Sequence, residues 1–167
     1  MLASVCLLMA ELIYFKRKQI SKIMVKQLSQ IADQFDCSID EFEIGKDIIV
    51  GMDKTKIMMF VVKRRINEFE SYHINLSESK GCRVLGHGTK TVKKNKEEKQ
   101  IERLDLEFES KDPCVKKQTI NFYDFDETTS LNGELELIRK WGKIAKEAIK
   151  NLKNNSTINL ILNESIH

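Results

Sequence analysis

The chain has 167 residues, 41% of them hydrophobic and 32% charged, with one proline and seven glycines. That is the make-up of one folded domain with an appendage, and it excludes a Pro/Gly-rich linker or a disordered chain. Its 28 basic and 25 acidic side chains leave a formal charge of +3, too even a balance to mark a nucleic-acid binder, so no specific nucleic-acid partner is expected.

The first element is an apolar run from Leu2 to Phe15, followed by Lys16, Arg17, Lys18, Lys22 and Lys26 with no acidic residue before Asp33. A secretory leader carries its basic residues before the apolar stretch, and here the order is reversed. As a helix the run spans about 21 Å, against roughly 30 Å of bilayer hydrocarbon. Tyr14 is placed as an interfacial aromatic, and Glu11 lies near enough to the end to reach the interface. Residues 1–15 are therefore expected to be a partial transmembrane anchor, the inner end of a single-pass helix in the inner (plasma) membrane. The basic flank places the remainder of the chain in the cytoplasm. The alternative is a cytoplasmic protein whose first helix packs on its own core.

Residues 16–38 carry Ile20, Ile23, Met24, Leu28, Ile31, Ala32 and Phe35 at steps of three and four, one stripe on a basic amphipathic stalk helix. The stripe needs a cover, and a second copy of the stalk is the favoured one, giving a homodimer through residues 16–36. The pattern then changes to period two. Residues 47–53 and 56–64 read as a hairpin closed at Asp53–Lys56, the second strand buried on both faces in its middle. Residues 69–76, 81–86, 101–110 and 117–125 read as further strands, with Leu104, Leu106 and Phe108 on one face of the fifth and Arg103, Asp105, Glu107 and Glu109 on the other. No helix intervenes, so an antiparallel meander is expected.

The last strong element is a helix over 132–152, with Leu135, Ile138, Gly142, Ala145, Ile149 and Leu152 in one stripe and Asn132 as its N-cap. Gly142 costs about 1 kcal/mol in a helix relative to alanine, which is tolerable where the helix must approach a sheet closely. Trp141, the only tryptophan, is the expected core anchor. The tail, residues 153–167, reads as mostly unstructured, with an added strand at 158–162.

Six strands in a meander, then one long helix carrying Trp141, resemble the pleckstrin-homology-like (PH-like) barrel. The order of anchor, basic stalk and such a domain is also similar to single-pass bacterial membrane proteins of uncharacterised function. The resemblance covers residues 40–152 and implies an α+β fold, a partly open barrel capped by its C-terminal helix and able to fold alone. The family has seven strands, so a seventh is expected either in residues 41–44 or from the tail.

Candidate chemistry is sparse. Members of that family that bind phosphoinositides use a basic loop between their first two strands, and here that turn offers only Lys54 and Lys56. Lys63, Arg64 and Arg65 end the second strand read, and Lys90, Lys93 and Lys94 lie in a charged stretch, 87–100, expected to be a flexible loop; both groups are candidate contacts to an anionic surface, and solvated charge is the favoured reading of each. Asp124, Asp126 and Glu127 lack the glycine and distal glutamate of a calcium loop and read as solvating the connection into the last helix. Cys6, Cys37, Cys82 and Cys114 form no CxxC and no zinc spacing with a histidine, so reduced thiols and no metal are expected. His73 and His87 have no nucleophile motif beside them, and no phosphate-binding glycine loop is present. The expectation is a non-enzymatic, membrane-tethered interaction module without a cofactor, docking an unidentified protein. The rival is a soluble ligand-binding or enzymatic domain, which an apolar pocket lined by His73 and carboxylates would favour.

Overall fold

Two short apolar strands joined by a tight turn set the centre of the molecule. In the structure, a computed structural model, the backbone is described at residues 2–66, 68–93, 96–128 and 130–164, and side chains at 11, 14–66, 68–89, 100–128 and 130–155. A first helix, α1 (Leu2–Asp33), precedes β1 (Glu41–Ile44), β2 (Ile48–Asp53), β3 (Met58–Arg64) and β4 (Phe69–Asn75). A single 3₁₀ turn, Leu76–Glu78, leads into β5 (Ser79–Lys93), β6 (Lys96–Ser110) and β7 (Gln118–Asp124), and α2 (Glu134–Glu164) closes the order. Among the described residues the strands form two separate antiparallel sheets, β1-β2-β3-β4 and β5-β6-β7, and do not close into one barrel.

Alternation in β2 and β3 produces two cores. Ile48, Val50, Met52, Met59 and Val61 belong to a core shared with Ile74, Leu104, Leu106, Ile120 and the α2 residues Ile138, Trp141, Ala145 and Ile149. The intervening Ile49, Met58, Phe60 and Val62 belong to a second core with Met24, Leu28, Ile31 and Ala32 of α1. Both faces of β3 are therefore covered, which is why six successive residues, Met58–Lys63, are buried.

Each helix meets its sheet at a glycine. A Cβ on Gly51 would lie 2.8 Å from Leu28 Cδ2, and one on Gly142 would lie 2.9 Å from Val84 Cγ2. At α1 the approach also shows direction. Leu28 sits over Gly51 of β2, while Phe35, just past the helix, has its ring 6.0 Å from that of Phe60 in β3 and 4.3 Å from that of His73 in β4. The C-terminal part of the helix thus crosses the strands. Lys56 Nζ donates to the carbonyls of Phe35 and Asp36, a cation at the negative end of the helix dipole. Asp53 accepts from Ser38 N, Thr55 N, Thr55 Oγ1 and Lys56 N at 2.6–2.9 Å. Those bonds hold its buried carboxyl well below the usual carboxylate range.

Several expectations are revised. The stripe expected to pair with a second copy is occupied from Met24 to Ala32 by the chain's own four-stranded sheet. Residues of 24–37 also share a core with β2 and β3, so α1 is part of the packing of that sheet. A strand does lie at 41–44, as the outer strand of its sheet. Residues 87–93 and 96–100 are not loop but the outer part of the paired strands β5 and β6, in register from Gly88↔Ile101 to Lys93↔Lys96; Thr89, Thr91 and Val92 are β-branched and suit extended pairing. Asp105, expected on the solvent face of its strand, is 4% exposed. Gly133, not Asn132, precedes α2, its carbonyl accepting from Leu137 N, and the Glu134 carboxylate turns back to the Asn132 N–H. The tail does not add a strand at 158–162: α2 continues through it to Glu164, with no glycine or proline after Leu152 to stop it.

Candidate functional site

The period-two register that buries Met59 and Val61 carries Lys63 to the same side of β3. Its side chain is 4% exposed, so the strand end expected to be solvated is turned inward. Burial, reinforced by the nearby Arg65 guanidinium, pushes the Lys63 ammonium down to about 8. Two partners hold it. Nζ donates to Asn121 Oδ1 of β7 and lies 3.0 Å from Glu127 Oε2 in the turn after β7. Asn121 Nδ2 in turn donates to Asp105 Oδ1 at 2.9 Å and to the Tyr123 carbonyl at 3.0 Å, and Arg103 Nε donates to Asp105 Oδ2 at 2.7 Å. A polar chain thus runs from β3 in one sheet through β7 to β6 in the other.

Arg65, just beyond β3, is the second cation. It is paired with Glu127, and its Nε lies 3.1 Å from Glu70 Oε1. Glu70 also accepts from the Tyr72 hydroxyl at 2.7 Å. The hydrogen bond from Arg65 is the main cause of a lowered Glu70 pKa, while burial and Glu70 together push the Tyr72 phenol up to about 12. Lys63, Arg65, Glu70 and Glu127 line a cavity of about 730 Å³ between the β1–β2 connection, the β3–β4 connection and the start of α2, with Phe122 and Tyr123 among its walls. Arg64 faces the cavity too, paired with Asp47.

The other candidate residues lie elsewhere. Lys16, Arg17, Lys18, Lys22 and Lys26 are exposed along α1. Lys90 and Lys93 lie in β5 with their side chains outside the described residues, and Lys94 is outside them altogether. Trp141 is fully buried in the larger core. His73 is not in the cavity but against the Phe35 ring, and His87 is exposed, its Nε2 3.9 Å from Asp105 Oδ2. Glu70 and Asn121 are not among the residues that the sequence singles out, and Glu127, read from the sequence as solvated in the connection into the last helix, is paired with Lys63 and Arg65. Lys63 had a signal, its register with Met59 and Val61; Glu127 had none, because the turn that aims it is tertiary.

Comparison with family models, with curated proteins and with solved structures finds no match to this chain.

Proposed function

We propose that the chain is a membrane-tethered interaction module of PH-like type, not an enzyme, with residues 1–15 embedded and Lys16, Arg17 and Lys18 at the cytoplasmic surface. One observation carries the reading: α1 is a single helix, yet among its described side chains packing on the sheets begins only at Ile20. Glu11 and every residue from Tyr14 to Gln19 are exposed, Tyr14 by 69% and Phe15 by 60%, and packing begins at Ile20. An aromatic pair left bare on a helix and followed at once by three cations suits the bilayer interface. Among the described residues no helix is long and apolar enough to cross a membrane; the proposed anchor is the inner end of a spanning helix.

The PH-like reading is supported by strand number and order, four then three, followed by a helix with its tryptophan buried. The outer strand β1 leaves Phe42 and Ile44 exposed, an edge suited to a protein partner. The cavity is lined mainly by charged side chains and excludes His73, which weakens the ligand-binding rival as first framed. The test is fractionation of the full chain from cells. It should stay with membranes in about 1 M salt, which screens surface charge but leaves apolar insertion intact, and should leave with detergent. Release by salt alone would refute the tether.

A further inference from the structure

We propose that Lys63 and Arg65 form a binding site for one carboxylate group, occupied here by the chain's own Glu127, which a carboxylate-bearing ligand displaces. Charge is the first argument. Lys63 and Arg65 bring two positive charges to one end of the inter-sheet space, and Glu70, held by Arg65 and Tyr72, neutralises one of them. Asp105 and Asp124, which share Arg103, also act on Lys63, so at most a single positive charge is left, and Glu127 meets it by bridging both cations. The vacancy that Glu127 fills is thus that of a monoanion; a dianionic phosphate would overcharge it.

Placement is the second argument. Lys63 and Glu70 are fixed in β3 and β4, and Arg65 directly follows β3. Glu127 sits instead on a turn outside the strands: its amide and that of Thr128 reach back to the Asp124 carbonyl, at 3.2 and 3.0 Å, while the preceding Phe125 ties the turn to Glu102 of β6. Its side chain is 37% exposed, whereas that of Lys63 is 4% exposed. The buried member is the cation and the accessible member is the anion, so the anion is the one that solvent and solutes can replace. Space is the third argument. About 730 Å³ adjoins the pair, far more than a carboxylate needs, and Phe122 and Tyr123 offer apolar wall for a short chain attached to it. The nearby Arg64 does not compete, because Asp47 neutralises it. Asp124 lies 4.0 Å from Arg103, and Glu134 is turned to the Asn132 amide.

The test uses the full chain and sodium butyrate as probe, followed by amide NMR shifts, with methyl butyrate and inorganic phosphate alongside. In Glu127→Gln, whose fold is checked by circular dichroism, butyrate should bind at least about tenfold more tightly than in the parent, since a charged competitor has gone. Adding Lys63→Met should abolish that gain, and methyl butyrate should not bind. In the parent, high butyrate should shift the amides of residues 63–65 and 124–128 together and saturably. This second measurement decides the matter if Glu127→Gln does not fold. Equal butyrate affinity in parent and Glu127→Gln, or no saturable shift at those amides in the parent, would overturn the proposal. Tighter binding of phosphate than of butyrate would overturn the carboxylate assignment.

Discussion

Lys63 should make this protein more stable in mildly alkaline solution, the reverse of what a surface lysine does. Its ammonium titrates near about 8 in the folded chain against an ordinary 10.5. A group with a lowered folded-state pKa that carries its charge in the protonated form opposes folding fully below about 8 and is relieved as pH rises towards 10.5. The whole difference corresponds to about 3 kcal/mol, and between pH 7 and 9.5 about 2 kcal/mol of it should be recovered. Opposing groups must be separated from this gain. Burial pushes the Cys82 thiol up to about 12, and the Tyr72 phenol also titrates near about 12. Both ionise first in the unfolded chain, so each takes stability away as pH rises past its ordinary value.

The assay is therefore a difference. Urea unfolding of the parent and of Lys63→Met is followed from pH 7 to 9.5 at constant ionic strength. Methionine conserves the length of the stem and cannot ionise, and Glu127 keeps Arg65 as a partner. The variant leaves Asn121 Oδ1 without its lysine donor, an offset that shifts its stability at every pH but not the slope. The parent should gain about 2 kcal/mol on the variant across this range. Parallel profiles would refute the reasoning, because they would mean that Lys63 is protonated and solvated like an ordinary surface lysine.

Two further outcomes follow from the packing. Gly142→Ala gains about 1 kcal/mol of helix propensity but places a methyl 2.9 Å from the stiff Val84 side chain; overpacking costs about 1–3 kcal/mol, so thermal stability should fall in the parent and rise in a Val84→Ala background. A chain beginning at residue 39 loses Met24, Leu28, Ile31 and Ala32 from the outer face of the first sheet; at about 1.5–3 kcal/mol for each large side chain this approaches the whole net stability of a domain, so it should lack a cooperative melt, whereas a chain beginning at residue 19 should keep one.

The strands were legible wherever hydrophobic alternation is strong, at 48–53, 58–64, 69–75 and 118–124, and so were the antiparallel order and the one-sided α2. The hairpin beyond Leu85 was not, because lysines dominate 87–100 and composition argues for a loop; what extends it is the partner strand, a cross-strand effect that no window of one strand contains. The site was half legible. Lys63 falls in the inward register of its strand, so its burial follows from counting in twos from Met59. Reading Lys63, Arg64 and Arg65 as one basic run hid the alternation, which sends Lys63 to Asn121 and Glu127 and sends Arg64 to Asp47. Asn121 and Glu127 depend on how β7 and its turn lie against the other sheet, which local sequence does not specify.

The cover of the α1 stripe shows why spacing alone misleads. Ile20, Met24, Leu28, Ile31 and Phe35 advance in steps of three and four, which is the seam of a coiled coil and equally the face of a helix laid on a sheet. Width separates the two. A two-stranded seam is narrow and flanked by charges that can pair across it, whereas here Val25 and Ala32 broaden the buried face. Lys22 and Lys26 carry like charge on the exposed side, and no acidic residue stands between Lys16 and Asp33 to answer them. A sheet needs neither a narrow seam nor flanking pairs; it needs a broad apolar face and room to approach, and Gly51 opposite Leu28 supplies the room. The other half of the test was on the sheet itself: Ile49, Met58, Phe60 and Val62 form an outer apolar face on strands whose inner face was already spoken for. A strand pair apolar on both faces requires two covers, and α2 with the second sheet is only one of them. The basic helix preceding that pair in the chain is the other.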